Sequence, residues 1–319
     1  MKGTPLAVLT GHQLPVNSAN FSPKGQRIVT ASSDKTARVW NVKGTQIAVL
    51  RGHQDRVNSA SFDPDGQRIV TASDDNTERV WDLKGTPLDV LTVHQDRVNS
   101  ASFSPDGQRI VTVSSKTARV WDLKGTPLAV LTGHQGIVNS ARFSPDGQHI
   151  VTASVDKTAR VWDVKGTPLA VLTGHQDIVN SASFGPKGQS IVTASVDKTA
   201  RVWDVKGTPL AVLTGHQDIV NSASFSPKGQ RIVTASDDNT ARMWDVKGTP
   251  LAVLTEHQDI VNSASFSLKG QRILTASEDN TARVWRVGGL DDLLTRGCDW
   301  LKDYLVSHPE ELKKLPVCQ

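Results

Sequence analysis

The chain has 319 residues, of which 36 are Lys or Arg and 32 are Asp or Glu, for a formal net charge of +4. Because both signs are interleaved along the sequence, the charge alone does not indicate a nucleic-acid-binding protein. The two cysteines, Cys298 and Cys318, provide no disulfide framework for the rest of the chain, which favours a reducing compartment. No apolar run has the length of a signal-peptide core or a membrane span, so we expect a soluble, cytoplasmic protein without membrane partners.

The first element in the chain is a short apolar run at residues 3–10, GTPLAVLT, which recurs downstream, for example at residues 166–173. It is followed by a unit that repeats seven times and is represented by residues 133–163. One Trp marks each unit, with spacings of 41, 40, 41, 41, 41 and 41 residues between Trp40, Trp81, Trp121, Trp162, Trp203, Trp244 and Trp285. A fixed period in this range is typical of a repeat architecture.

Turn residues divide each unit into four short runs of alternating hydrophobicity, which is the pattern of β-strands. In the fourth unit the runs predict strand a at 138–143, strand b at 150–154, strand c at 158–164 and strand d at 167–173. The a–b connection at 144–147, SPDG, suits a tight reversal because Pro presets φ and Gly tolerates positive φ. Four antiparallel strands fill the unit and leave no room for a helix.

The unit contains a Gly-His dipeptide, a Ser-Pro-Asp-Gly turn and a Trp-Asp pair that follows the His by 28 residues, at Gly133, His134, 144–147 and Trp162. In these features it resembles the repeats of the WD-repeat family of β-propellers. The resemblance extends over residues 1–287 and implies an all-β, seven-bladed propeller of four-stranded antiparallel blades, with a separate tail at 288–319. Because a blade buries its apolar faces only against its neighbours, we expect a closed ring. The last unit lacks a strand d, so residues 3–10 are expected to supply it.

Each unit also carries a His, a Thr or Ser on strand b, an Asp in the b–c turn and the Trp on strand c. In the WD-repeat family the matching residues form a hydrogen-bonded chain, which the resemblance implies here for His134, Thr152, Asp156 and Trp162, and for His175, Thr193, Asp197 and Trp203. A hydrolase triad uses similar residue types, but seven identical sets without a Gly-x-Ser-x-Gly elbow favour a structural role. One His per blade provides no zinc-ligand cluster. We therefore predict no enzyme activity, no metal and no cofactor.

The third unit departs from this pattern. Val93 replaces the Gly before the His, and the b–c turn is one residue shorter, so that Ser115 stands where the other units have Asp. Two interpretations stay open: drift that the fold tolerates, or a distorted blade that shapes a binding notch.

Two sets of residues are candidates for partner binding, because the family resemblance implies a partner site on the top face, around the central channel, and loops on a rigid scaffold commonly carry binding sites. The first is a polar ring one residue into strand a: Asn17, Asn58, Asn99, Asn139, Asn180, Asn221 and Asn262. The second directly precedes strand a and combines a basic pair with an apolar arc: Arg56, Arg97, Ile137, Ile178, Ile219 and Ile260. The alternatives are that repeat duplication alone explains the Asn residues and that each Ile packs onto its own blade.

The turns at the opposite, bottom face carry an excess of Lys, including Lys43 and Lys84 in c–d turns and Lys187 and Lys228 in a–b turns. Without interleaved aromatic residues these lysines are more typical of solvated turns than of a nucleic-acid platform. Nucleic-acid binding is thus a subordinate alternative.

From Leu290 onward the hydrophobic period changes to 3.6 residues, which predicts an amphipathic helix through Leu305. Ser307 and Glu310 form a capping box that begins a second, short helix. The apolar face of this tail is expected to dock on the propeller or on a second copy, so a homo-oligomer through the tail is one possibility. The tail also resembles segments that follow propellers in large bacterial multidomain proteins, where the propeller is often the sensing end of a signalling ATPase or kinase.

Together these patterns predict a non-enzymatic protein–protein interaction scaffold that is the recognition or sensor module of a larger bacterial signalling protein. Its expected ligand is a protein or peptide, with no small-molecule substrate, bound through the top face. A self-assembling or architectural propeller is the alternative.

Overall fold

The computed structural model describes residues 5–91, 94–287 and Tyr304. Within these residues 28 β-strands form seven four-stranded antiparallel sheets, which confirms the predicted all-β, seven-bladed propeller. The propeller belongs to the first of two compact units, residues 1–285. Val93 and the predicted tail helices, apart from Tyr304, lie outside the described residues.

The strands follow the predicted four-strand pattern in every unit. Strands a are Val16–Phe21 (β2), Val57–Phe62 (β6), Val98–Phe103 (β10), Val138–Phe143 (β14), Val179–Phe184 (β18), Val220–Phe225 (β22) and Val261–Phe266 (β26). Strands b are Arg27–Ser32 (β3), Arg68–Ser73 (β7), Arg109–Ser114 (β11), His149–Ser154 (β15), Ser190–Ser195 (β19), Arg231–Ser236 (β23) and Arg272–Ser277 (β27). Strands c are Ala37–Asn41 (β4), Glu78–Asp82 (β8), Thr117–Asp122 (β12), Ala159–Asp163 (β16), Ala200–Asp204 (β20), Ala241–Asp245 (β24) and Ala282–Arg286 (β28). Strands d are Gln46–Leu50 (β5), Pro87–Leu91 (β9), Pro127–Leu131 (β13), Pro168–Leu172 (β17), Pro209–Leu213 (β21), Pro250–Leu254 (β25) and, at the N-terminus, Pro5–Leu9 (β1).

The N-terminal strand completes the last blade. Sheet order β1-β28-β27-β26 places β1 beside the seventh strand c, with Val8 opposite Arg283 and Leu9 opposite Ala282. Blade 1 has the same c–d register without a chain break, since Arg38 there lies opposite Val49. The predicted closure by residues 3–10 is therefore confirmed for the described residues, and blades 1 to 7 are numbered here in the order of their Trp residues.

The hydrophobic core consists of clusters that each span two neighbouring blades. In the cluster between blades 7 and 1, Leu9 and Val284 pack with Val16, Ile28 and Trp40 of blade 1. Corresponding clusters join other neighbouring pairs, for example blades 4 and 5. Burial of each such side chain contributes roughly 1.5–3 kcal/mol. The ring-closing junction thus has the same kind of core as junctions within the continuous chain.

Strand direction decides which connections share a face. Because successive strands are antiparallel, the d–a loop and the b–c turn of a blade lie at one end, defined here as the top, and the a–b and c–d turns lie at the bottom. A backbone hydrogen bond from Val155 N to Ile137 O, 2.9 Å long, joins the b–c turn of blade 4 to its d–a loop. At the bottom, Gly147 has a φ of 68°, in the left-handed region that favours glycine.

Candidate functional site

In blade 4 four side chains form a continuous hydrogen-bonded chain from the core to the top face. The Trp162 indole N–H donates to Thr152 Oγ1 over 2.9 Å, Thr152 Oγ1 lies 2.7 Å from His134 Nε2, and His134 Nδ1 lies 2.8 Å from Asp156 Oδ2. Since the indole can only donate, the Thr hydroxyl donates to His Nε2 and His Nδ1–H donates to the carboxylate. The second predicted set has the same links, between Trp203, Thr193, His175 and Asp197.

The protonation states fit these directions. Burial alone would raise the pKa of Asp156, but hydrogen bonds from Thr158, from His134 and from the Gln135 amide outweigh it and lower the pKa to about 2. Desolvation lowers the pKa of His134, against the hydrogen bond and charge of Asp156, which raise it. At neutral pH a neutral imidazole therefore donates to a charged carboxylate.

The sets serve to join segments of one blade. Thr152, His134 and Trp162 are buried, so the hydroxyl that would have to act as a nucleophile is enclosed between an indole and an imidazole. Equivalent links occur in blades 1, 2, 6 and 7. The geometry fastens the d–a loop and the b–c turn to strands b and c.

Blade 3 obtains its carboxylate from a neighbouring blade. His94 Nε2 lies 2.8 Å from Glu78 Oε1 and 3.0 Å from Thr112 Oγ1, which accepts from Trp121 at 2.8 Å. Glu78 belongs to strand c of blade 2, is fully buried, and its second oxygen has no partner among the described residues. The position of Glu78 is Ala in the six other strands c, including Ala118 of blade 3. Its carboxylate thus replaces the missing Asp of the b–c turn.

The shortened b–c turn of blade 3 also contacts a different neighbour. In blades 4 and 5 the first amide of this turn donates to the residue before strand a, as Val196 N does to Ile178 O over 3.0 Å. In blade 3 the carbonyl of Ser115 instead accepts from Val138 N of blade 4, at 2.8 Å. The third blade therefore differs from the others at the top face, as its sequence indicates; whether this forms a binding notch stays a prediction.

The asparagine ring lies at the channel and links the blades. Asn17 Nδ2 donates to Val57 O of the next blade over 2.8 Å, and Asn262 Nδ2 donates to Val16 O across the ring closure over 3.1 Å. The same bond is made by Asn58, Asn99, Asn139, Asn180 and Asn221. All seven side-chain amides thus have a structural partner, and a role in binding stays a prediction.

The residues that precede strand a differ in their exposure to solvent. Arg56 and Arg97 are exposed, whereas Ile137, Ile178, Ile219 and Ile260 are half-buried. Arg56 also donates to Asn17 Oδ1 of blade 1 over 3.0 Å. The top face therefore presents a basic pair on blades 2 and 3 and a partly covered apolar arc on blades 4 to 7.

Comparison with known proteins assigns this architecture to a family. A family model described as IFT122 first beta-propeller matches residues 41–286, and a model described as WD domain, G-beta repeat matches residues 3–41. The chain belongs to the WD-repeat β-propeller family. It is also 49% identical over 41 residues to a protein named Lissencephaly-1 homolog 1 from Paramecium tetraurelia, which is 13% of this chain and 10% of that protein. That likeness is one repeat long.

WD-repeat propellers are typically non-enzymatic scaffolds for protein interactions. Among the described residues of this propeller, no group of three or more His, Cys, Asp or Glu side chains is arranged to hold a metal ion. No helix within those residues has both the length and the hydrophobicity needed to cross a membrane.

Two residues of the WD-repeat units were not singled out by sequence reasoning. Glu78 stands where the six other units have Ala, and Arg142 stands where the other units have Ser or Asn. Both departures are visible when the units are aligned, but the buried contact of Glu78 with His94 and the surroundings of Arg142 are set by packing between blades.

Proposed function

We propose that this chain is a non-enzymatic scaffold that binds a protein or peptide partner through the top face, as the cytoplasmic recognition or sensor module of a larger bacterial signalling protein. The family supports the scaffold role. The top-face location is supported by the residue before strand a, which is Arg in units 2 and 3 and Ile in units 4 to 7.

The apolar part of this face is formed by paired positions. Ile137 and Ile178 precede strand a in blades 4 and 5, and each is joined by a backbone hydrogen bond to a Val of the b–c turn, Val155 and Val196. All four side chains are half-buried. Two adjacent blades therefore present the same apolar surface beside the channel, which suits an apolar side chain of a ligand.

The flanks of this part are charged. In blades 6 and 7 the b–c turn residues joined to Ile219 and Ile260 are Asp237 and Glu278. On the other side, Arg97 of blade 3, which adjoins blade 4, is exposed. An apolar surface between acidic and basic flanks is the observation on which the proposal depends. It favours a peptide whose apolar anchor lies between residues of opposite charge.

The proposal is tested by selecting peptides from a random library on the full chain and measuring their affinity by fluorescence polarisation. Ile178→Asp with Ile219→Asp should weaken binding at least tenfold, because a carboxylate in a half-buried position repels an apolar anchor. Lys206→Glu, in an exposed c–d turn at the bottom, is the matched control and should leave affinity within about twofold. Peptides that bind the top-face variant as tightly as the unmodified chain would refute the location.

Self-assembly is the second candidate, and the outer strands favour it. Strands d carry exposed apolar side chains, such as Leu128 at 52% and Leu210 at 59% exposure, next to a free strand edge that can pair with another chain. Sedimentation velocity over a range of concentrations distinguishes an assembling propeller from a monomeric scaffold.

A further inference from the structure

One layer of the central channel is held by side chains that reach the next blade. Ser183 Oγ donates to Ala223 O over 3.0 Å, and Asn20 Nδ2 donates to Ala60 O over 2.8 Å. The same position forms this bond in blades 2, 3, 6 and 7, through Ser61, Ser102, Ser224 and Ser265. In blade 4 the position is Arg142, and the corresponding bond to Ala182 O does not occur.

Arg142 has no partner that explains its presence. Its side chain is exposed to the channel and forms no hydrogen bond, ion pair or ring contact with any described residue. The carboxylates of the neighbouring a–b turns are occupied, since Asp106 accepts from Ser104 and Asp146 accepts from Ser144. Desolvation by the surrounding strands lowers the pKa of Arg142, yet a guanidinium keeps its charge in proteins.

Two other residues that depart from the repeat pattern, in the a–b turn of blade 5 and after it, differ from Arg142 because each makes room for the other. Gly185 replaces the usual Ser or Asp of the a–b turn in blade 5, and Ser190 replaces Arg or His five residues later. A Cβ at Gly185 would lie 2.5 Å from Ser190 Oγ, so the two replacements fit each other. Arg142 has no such counterpart and replaces a stabilising bond with an unpaired charge.

The space around Arg142 has the size and lining of a ligand site. Within the channel it lines a cavity of about 310 Å³ together with hydroxyl-bearing residues such as Ser140 and Ser181. At the bottom mouth it lines a second cavity of about 440 Å³, with Phe103, Phe143 and Pro105. Pockets for small ligands commonly begin at about 300 Å³ and combine an apolar lining with a few polar groups.

We propose that Arg142 anchors a small organic anion that enters the propeller through the bottom mouth of the channel. The guanidinium pairs with a carboxylate or phosphate head group, which it can contact through two parallel N–H groups. The phenylalanine side chains contact the apolar body of the ligand, and the serine layer lies beyond the head group. This site is separate from the top face and does not depend on the proposed partner.

Isothermal titration of the full chain with phenyl phosphate, phenylacetate and the neutral benzyl alcohol tests the site. Arg142→Ser restores the residue of the other units and with it the bond to Ala182 O, so the variant is expected to fold and to unfold at a higher temperature. Arg51→Thr is the matched control, because it removes an exposed Arg and also restores the residue of the other units.

We expect at least one of the two anions to bind, with an affinity that falls as NaCl is raised and that decreases at least tenfold in Arg142→Ser but not in Arg51→Thr. The preferred anion identifies the head group as carboxylate or phosphate. Arg142→Gln, which keeps a polar side chain without the charge, should lose binding in the same way. The proposal is overturned if neither anion binds, if benzyl alcohol binds equally well, or if Arg142→Ser keeps the affinity.

Discussion

At the scale of single residues, the network histidines find their carboxylate partner in two different ways. In six blades the histidine of the network contacts an Asp of its own b–c turn through Nδ1, as His134 does at 2.8 Å. In blade 3 the carboxylate is Glu78 of blade 2 and the contact atom is His94 Nε2, at 2.8 Å. Because a carboxylate can only accept, the imidazole proton of His94 must lie on Nε2, whereas in the other six sets it lies on Nδ1.

We therefore expect His94 to be protonated on Nε2, whereas the other six network histidines are protonated on Nδ1. Long-range ¹H–¹⁵N correlation spectra at neutral pH distinguish the two tautomers by their ring nitrogen shifts. Glu78→Ala should change the pattern of His94 alone, and His134→Gln should remove one signal set of the majority type. An Nδ1–H pattern for His94 in the unmodified chain would contradict the assignment.

The resemblance to WD repeats implies the six regular sets, because all four members of each set lie within one unit at the spacing of the family. The role of Glu78 could not, since it depends on the packing of strand c of blade 2 against blade 3. The asparagines are an intermediate case. Their position at the channel follows from their place in strand a. Their partner is a backbone carbonyl of the next unit, and every residue has such a carbonyl, so the sequence does not identify the contact.

At the scale of elements, β1 decides whether the ring is closed. Its Leu9 is buried in the cluster shared by blades 7 and 1, and its register with β28 matches that of β4 with β5. The sequence indicated this pairing through a surplus strand d at one end and a missing one at the other. The exposed apolar side chains of strands d were not foreseen, because alternation alone does not show that neighbouring blades diverge toward the rim.

A disulfide across this junction should stabilise the protein more than an equivalent one within a blade. Val8→Cys with Arg283→Cys joins residues that lie opposite each other and closes a loop of about 275 residues, for which chain entropy gives an upper value of about 5–6 kcal/mol. Arg38→Cys with Val49→Cys uses the same register in blade 1, where the short loop gives only about 3 kcal/mol.

Both pairs are introduced in a background with Cys298→Ser and Cys318→Ser, and the free energy of unfolding is measured in urea with and without reductant. The two variants lose matched Arg–Asp contacts, at 3.5 Å for Arg283 and 3.6 Å for Arg38. Equal stabilisation by the two disulfides would contradict the expected dependence on loop length.

At the scale of the whole molecule, the repeated network makes the folding stability depend on pH, because equivalent groups titrate in several blades. The carboxyl pKa is lowered in Asp34, Asp75, Asp156, Asp197, Asp238 and Asp279. In His12, His53, His134 and His257 desolvation lowers the imidazole pKa below its ordinary value of 6.5. For both kinds of group the unfolded chain binds protons more readily than the folded ring, so stability must fall as pH falls.

We expect the urea midpoint to be constant at slightly alkaline pH, to decline once the pH drops below 6.5, the ordinary histidine value, and to decline more steeply below about pH 4. The carboxylate contribution should start to be lost as the pH falls below the ordinary value of 3.8, and the loss should be complete near the folded value, about 2 for Asp156. Chemical unfolding at a series of pH values provides the measurement. A midpoint that rises or stays level between neutral pH and about pH 5 would show that the buried histidines are not held neutral.

The asparagine hydrogen bonds at the channel affect which rearrangements of the blades the ring tolerates. Each link ends on a main-chain carbonyl, so it does not depend on which side chain the adjoining blade carries at that point. Every junction in this layer is consequently interchangeable, and the layer would remain paired if blades were exchanged or their order around the axis were altered. This gives a physical route by which a repeat-built ring can diversify its surfaces while its innermost circle stays intact.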